Sequence, residues 1–122
     1  MTDKNEVTEE IWWDLKYMLV ADPYEPAQQG YREISRLLRN YLIEHGLVRE
    51  GKFPPVTAPV PDDFVIRMSD LTEDGAAFLW YALPRWLRAN DDIRKPISMR
   101  SLDRSLKKLR EEGPAALSWP RH

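Results

Sequence analysis

The strongest constraint on the fold is the stretch of residues 64–87, which reads FVIRMSDLTEDGAAFLWYALPRWL. A short alternating apolar run leads through helix-start residues at 69–74 into the most aromatic helix predicted in the chain, ending near residue 89 or 90. Its apolar residues follow helical spacing in two lines: Ala76, Leu79, Leu83 and Trp86, and Ala77, Trp80 and Leu87. Pro84 removes one backbone hydrogen bond and predicts a kink. A helix that is apolar on most sides must be covered by other elements, so we expect it in the middle of the fold.

Three further helices are predicted from apolar residues that recur every three or four positions. They span about residues 8–21, 26–45 and 98–112. Gly46 suits the left-handed residue that follows a helix, and Gly113-Pro114 ends the last helix. The predicted fold class is therefore mostly α, a compact bundle of about four helices.

The connector at residues 47–63 contains four prolines and one glycine, which exclude a helix or a central strand. We expect an extended crossing segment, with room for short edge strands near 47–49 and 64–68 that would form a small β-hairpin. The connector is too short and too apolar to separate two domains. We therefore expect one helical domain over residues 1–122, with residues 113–122 either a loose tail or docked by Trp119.

Residues that carry chemistry are sparse in this sequence. The chain lacks cysteine, and its two histidines, His45 and His122, do not stand in a metal-ligand spacing. Turn formation and helix capping explain the paired carboxylates at 62–63, 73–74 and 91–92 better than acid–base catalysis does. We expect no enzymatic activity, no metal and no cofactor.

The compartment is predicted from the composition of the N-terminal sequence and the length of the apolar runs. The start, MTDKNEVTEE, lacks the basic and apolar regions of a signal peptide, and no apolar run approaches the length of a membrane span. A net charge of −2 does not favour an anionic membrane or nucleic acid as partner. A cytoplasmic protein without a membrane partner is the expectation.

Charge is distributed unevenly, with an acidic start and a basic end. The candidate residues for contacting a basic protein partner are Asp3, Glu6, Glu9, Glu10 and Asp14. The last predicted helix carries a basic face that could contact phosphate: Arg100, Arg104, Lys107 and Lys108. The simplest alternative is that the two ends attract each other, and that the basic face is only solvated.

Residues 42–48, LIEHGLV, and residues 71–79, LTEDGAAFL, resemble a pattern of winged-helix regulators. In that family such motifs close the recognition helix and open the helix after the wing. The resemblance implies that Arg32, Arg36 and Arg39 would meet the major groove of DNA. The proline-rich segment departs from a regular wing, and the helix expected before the recognition helix is missing or compressed.

The last third resembles small uncharacterised bacterial proteins, some of which look like immunity proteins that neutralise a toxin by tight binding. The shared pattern covers residues 71–110 and consists mainly of core positions: Leu71, Thr72, Gly75, Trp86, Leu87, Leu102, Leu106 and Leu109. Arg85 replaces the usual lysine. The resemblance implies a non-catalytic bacterial protein that acts by binding another protein, and it carries over no catalytic residue.

Aromatic residues exceed what four short helices need, notably Trp13, Tyr17, Tyr81 and Trp119. They predict either an exposed patch for a partner or a second copy, or complete internal packing. Two functions remain: a protein-binding, immunity-type inhibitor, and a winged-helix DNA-binding regulator as the alternative.

Overall fold

The computed structural model describes residues 10–92 and 94–118. Four α-helices lie within these ranges: α1 Leu15–Ala21, α2 Glu25–Glu44, α3 Glu73–Ala89 and α4 Arg100–Glu112. Two short strands, β1 Ile11–Asp14 and β2 Val65–Arg67, pair in antiparallel fashion. The predicted mostly-α class with a small strand pair is confirmed.

The chain divides into two compact units, an N-terminal unit of Met1–Thr72 and a C-terminal unit of Glu73–His122. The N-terminal unit contains both strands, α1 and α2, whereas the C-terminal unit contains α3 and α4. The assignment of one domain to residues 1–122 stays a prediction.

The helix predicted over residues 8–21 begins only at Leu15, because residues 11–14 form β1 instead. Ile11, Trp12 and Trp13 are β-branched or aromatic residues, which favour a pleated strand when a partner strand is present. Asp14 then starts α1, since its Oδ1 accepts a hydrogen bond from the Tyr17 backbone N–H at 3.1 Å. The part of the prediction that falls on residues 8 and 9 lies outside the described residues.

The partner of β2 also differs from the predicted one. Trp13 pairs with Ile66 and Asp14 with Val65, with an irregularity between Ile11 and Trp13. Residues 47–49 instead lie beside residues 70–72, where Val48 and Leu71 form a single isolated bridge. The strand pair therefore joins the start of the chain to its middle.

Helix α2, with 20 residues, is the longest helix of the N-terminal unit, and it ends just before the predicted glycine. Leu38 and Leu42 are fully buried. Gly46 has φ +66°, and the N–H groups of Gly46 and Leu47 donate to the carbonyls of Ile43 (3.2 Å) and Leu42 (2.9 Å). This pair of bonds is the Schellman motif, which satisfies carbonyls at the end of the helix.

In the C-terminal unit, Trp86 fixes the connection between α3 and α4. Its indole is fully buried, and Nε1 donates to the Ser98 carbonyl at 2.8 Å. The side chain of Asn90 accepts from the Ser98 N–H at 2.7 Å and donates to the Trp86 carbonyl at 2.9 Å. Helix α3 continues past Pro84 to Ala89. After α4, Pro114–Leu117 form a 3₁₀ turn in which Leu117 is buried. Trp119, which was expected to dock the tail, lies outside the described residues.

Candidate functional site

An exposed apolar surface lies on α1 and the turn that follows it. Tyr17, Val20 and Tyr24 are 71%, 75% and 61% exposed, and we call these three residues the α1 patch. Tyr17 and Val20 are one helical turn apart, so they share one face of α1. Leu15 is the buried residue of this seven-residue helix. Scattered single apolar residues are ordinary on a surface, but three large exposed ones within eight positions are a candidate contact area.

Hydrogen bonds from α2 hold the α1 patch in place. Gln28 Nε2 donates to the Leu19 carbonyl at 2.8 Å, and the Tyr31 hydroxyl donates to Asp22 Oδ2 at 3.1 Å. Asp22 Oδ1 also accepts from the Tyr24 backbone N–H at 3.2 Å. Burial, followed by the hydrogen bond and the negative charge of Asp22, raises the pKa of Tyr31. The turn that presents Tyr24 is therefore fixed by a neutral Tyr31 hydroxyl and the Asp22 carboxylate.

Charged groups lie beside Val20, one member of the α1 patch. A shallow depression of about 450 Å³ beside Val20 is lined by Lys16, Leu19, Val20, Arg32, Asp62 and Asp63. Within it, Arg32 and Asp62 form an ion pair at 3.2 Å, and both side chains remain well exposed. The hydrogen bonds that the Arg32 guanidinium donates to the Asp62 carboxylate raise the pKa of Arg32.

The predicted acidic contact residues are only partly within the described chain. Asp3, Glu6 and Glu9 lie outside the described residues. Glu10 is exposed, and its backbone carbonyl accepts from the Met68 N–H at 2.9 Å, which places it at the edge of the strand pair. Asp14 caps α1, so its carboxylate has a structural role at the start of the helix that carries the patch.

The three arginines proposed for the major groove of DNA are engaged within the N-terminal unit. Arg32 pairs with Asp62, and Arg36 pairs with Glu33 at 2.6 Å. Arg39, which the sequence assigns to the polar face of α2, is only 1% exposed. Its assignment to the exposed polar face of α2 is therefore wrong, and the contact of these arginines with DNA stays a prediction.

Arg39 has a structural role instead. Its guanidinium donates to the carbonyls of Pro54 (3.3 Å) and Pro55 (2.9 Å) and to Asn40 Oδ1 (2.7 Å). Burial, helped by the positive charge of Arg36, lowers the pKa of Arg39. The sequence signal for this burial is the spacing of residues 35, 38, 39 and 42, all of which lie on the inner face of α2.

A cationic groove runs along α3 and α4 in the C-terminal unit, and we call it the α3/α4 groove. It has a volume of about 550 Å³ and is lined by Tyr81, Arg85, Ala89, Ser101, Arg104, Ser105, Lys107, Lys108, Glu111 and Glu112. The Arg85 guanidinium lies 3.7 Å from the centre of the Tyr81 ring and donates to the Tyr81 carbonyl at 2.7 Å. Arg100, the fourth predicted basic residue of α4, does not line the groove.

The aromatic residues that exceed the needs of four short helices differ in their burial. Trp13 is buried and its Nε1 donates to Ser35 Oγ at 2.7 Å, whereas Tyr17 is exposed and Tyr81 is half-buried in the groove. The sequence singled out Tyr17 and Tyr81, but not Val20, Tyr24 or Arg85. The apolar spacing of the predicted helix placed Val20 on a face to be covered, but α1 is only seven residues long and leaves Val20 exposed.

Residues 10–92 and 94–118 contain one histidine, His45, as a further candidate for a chemical site. His45 packs its ring against Tyr41 at 4.3 Å, and no group of three or more potential metal ligands occurs in these ranges. None of the helices there has the length and apolarity needed to cross a membrane. Comparison with protein-family models, characterised proteins and solved structures finds no match to the chain.

Proposed function

We propose that the protein acts without catalysis by binding another protein of basic character, through the α1 patch and the acidic residues near it. An immunity-type inhibitor of a toxin is the form of this function that the sequence resemblance favours. The observation that carries the proposal is the exposure of Tyr17, Val20 and Tyr24 on one fixed helix and turn.

The chemistry of the α1 patch suits an interface core. Tyrosine is enriched among the residues that dominate binding energy, because its ring buries a large apolar area while its hydroxyl keeps a hydrogen bond. Asp22 holds the backbone N–H of Tyr24, and Gln28 holds the Leu19 carbonyl next to Val20, so little backbone ordering is needed when a partner binds.

Electrostatics favour a basic partner. Residues 1–72 contain 13 acidic and eight basic residues, which gives a net charge of −5. Four of the acidic residues are close to the α1 patch in sequence. Glu10 and Asp14 precede it, Asp22 lies between Val20 and Tyr24, and Glu25 follows it. Opposite charge on a partner would accelerate the encounter, and this acceleration would decrease as salt screens the charges.

The DNA-binding alternative has less support in the residues first assigned to it. Arg32 and Arg36 are ion-paired and Arg39 is buried, so phosphate contact would require breaking the existing pairs. A gel-shift assay at low salt with mixed duplex DNA separates the two functions. We expect no shift at micromolar protein.

The experiment uses the full chain with a photo-crosslinking amino acid at position 17. The partner recovered in this way is purified, and its binding is measured for wild type, Val20→Ser and the matched control Val56→Ser, since both valines are exposed in the same unit. Val20→Ser should weaken binding about tenfold, whereas Val56→Ser should change it less than about twofold. Both variants should remain folded, because exposed substitutions rarely affect stability by more than about 0.5 kcal/mol.

The charge contribution is tested by reversing the predicted acidic contact residues. Lysine at Asp3, Glu6, Glu9 and Glu10 should slow association and weaken its salt dependence, while Asp14→Asn retains a capping side chain. Unchanged binding and salt dependence would contradict the proposal. A dimer of this chain that Val20→Ser abolishes would identify a second copy, rather than a basic protein, as the occupant.

A further inference from the structure

The α3/α4 groove is formed by two stripes of residues that face each other. On α3, Tyr81, Arg85 and Ala89 recur every four residues, and on α4, Ser101, Arg104 and Lys108 recur every three or four. Trp86 meets Ser98 near one end, and Lys108 Nζ lies 6.0 Å from the Tyr81 ring centre near the other. The helices therefore run in opposite directions, and their polar stripes remain side by side along the groove.

The charges that line the groove are not balanced. Arg85, Arg104, Lys107 and Lys108 are opposed by Glu111 and Glu112 alone, and Lys108 is the member that pairs, with Glu112 at 3.9 Å. Within the described residues, no carboxylate lies at ion-pair distance from Arg104 or Lys107. An excess of about two positive charges therefore faces the groove.

We propose that the α3/α4 groove binds the phosphate group of a small phosphate monoester. At pH 7 such a group carries a charge of about −1.5 to −2, which matches the excess of the groove. Guanidinium groups bind phosphate through paired hydrogen bonds, a lysine adds a point charge, and the Ser101 hydroxyl supplies a neutral donor. The volume of about 550 Å³ falls within the range of small-ligand sites.

Two features favour a compact ligand over a nucleic acid strand. Arg85 already covers one face of Tyr81, the aromatic residue that lines the groove, so base stacking there is restricted. Glu111 and Glu112 stand together on α4 beyond Lys107 and Lys108, and they would repel a phosphodiester backbone that continued past the lysines. A single terminal phosphate can bind beside Arg104 and Lys107 without extending to the two glutamates.

The test is a titration of the full, isotope-labelled chain with ribose 5-phosphate, followed by amide chemical shifts, with ribose as the matched ligand without phosphate. The sugar phosphate should shift amides in residues 81–89 and 101–112, and ribose should shift none. The double variant Arg104→Gln/Lys107→Gln should weaken binding about tenfold. The control Arg88→Gln/Arg100→Gln removes the same charge from exposed positions on the same two helices outside the groove, and should change binding less than about twofold.

Each other outcome overturns the proposal. Equal weakening by both double variants would mean that only net charge attracts the anion. Shifts confined to residues outside the groove would place the site elsewhere. If a single-stranded oligonucleotide binds in a groove-dependent way and ribose 5-phosphate does not, the ligand is a nucleic acid. The site lies wholly in the C-terminal unit, so these results do not depend on the α1 patch.

Discussion

The N-terminal and C-terminal units differ in the kind of surface that each leaves exposed. The N-terminal unit has a net charge of −5 and exposes apolar side chains at the α1 patch. The C-terminal unit, with ten basic and seven acidic residues, has a net charge of +3 and exposes cations along the α3/α4 groove. The overall charge of −2 conceals both surfaces, so it is a poor guide to the partners of this chain.

Arg104 in the C-terminal unit differs from three arginines of the N-terminal unit. In the N-terminal unit, Arg32, Arg36 and Arg39 bind carboxylates or backbone carbonyls. In the C-terminal unit, Arg104 lines an open groove without an ion pair to any described residue. The same type of side chain thus stabilises structure at Arg32, Arg36 and Arg39 and remains available to a ligand at Arg104.

The largest expected effects come from the tryptophan that anchors each unit. Trp13→Ala and Trp86→Ala should each lower the free energy of unfolding by about 3–5 kcal/mol, because each removes a large buried ring and its indole hydrogen bond. Trp80→Ala, at a half-exposed position on α3, is the control and should cost far less. Urea unfolding measures the cost.

Hydrogen exchange shows which unit each tryptophan stabilises. Protection should fall most in β1 and α2 for Trp13→Ala, and in α3 and α4 for Trp86→Ala. A Trp13→Ala variant whose largest change lies in residues 100–112 would contradict the assignment of Trp13 to the core of the N-terminal unit.

The contrast between the arginines predicts a smaller effect. Arg39→Ala should destabilise the protein by about 2 kcal/mol, because the carbonyls of Pro54 and Pro55 lose their buried donor. Arg104→Ala should change stability by less than about 0.5 kcal/mol, since its side chain is exposed and unpaired among described residues.

Arg39→Met separates packing from hydrogen bonding in the same experiment. Methionine retains the apolar length of the side chain but donates no hydrogen bond, so this variant should recover only part of the loss. Full recovery would show that Arg39 stabilises the unit through its apolar stem rather than through the two proline carbonyls.

Local sequence patterns predicted the elements that depend on local interactions. The bounds of α2 and the left-handed Gly46 follow from a clear period and a C-terminal glycine, and both are present in the structure. The pattern at Ile11 and Trp13 fits a helix equally well in isolation. Its strand state depends on Val65–Arg67, a partner more than fifty residues away that no local period reveals.

The candidate sites were predictable to a similar extent. The basic face of α4 is visible in the sequence, but its pairing with Tyr81 and Arg85 depends on how α3 lies beside α4. Arg39 was assigned to the wrong face because arginines are usually exposed, and its carbonyl partners lie in a proline-rich loop that has no periodic signal. The exposure of Val20 likewise depends on where α1 begins.

The smallest predicted effect concerns the turn that holds the α1 patch, and it is a change in ionisation. Asp22→Asn removes the charge and the ionic hydrogen-bond acceptor beside Tyr31, so the pKa of Tyr31 should fall. It should stay above the ordinary value of 10.0, because burial is the largest cause of the shift. A folded-state pKa that is raised contributes stability below the unfolded pKa, and this contribution is lost as pH rises through the folded value.

Asp22→Asn should therefore narrow the alkaline range over which the turn stays intact. The ultraviolet absorbance of tyrosinate, measured as the difference between Asp22→Asn and the double variant Asp22→Asn/Tyr31→Phe, isolates the Tyr31 titration. The same absorbance difference between wild type and Tyr31→Phe gives the Tyr31 titration with aspartate at position 22, for comparison. If the pKa of Tyr31 is the same with aspartate and asparagine at position 22, the hydrogen bond between the Tyr31 hydroxyl and residue 22 does not fix the turn. The turn is then held by Gln28, by the bond from the Tyr24 backbone N–H to Asp22 and by packing.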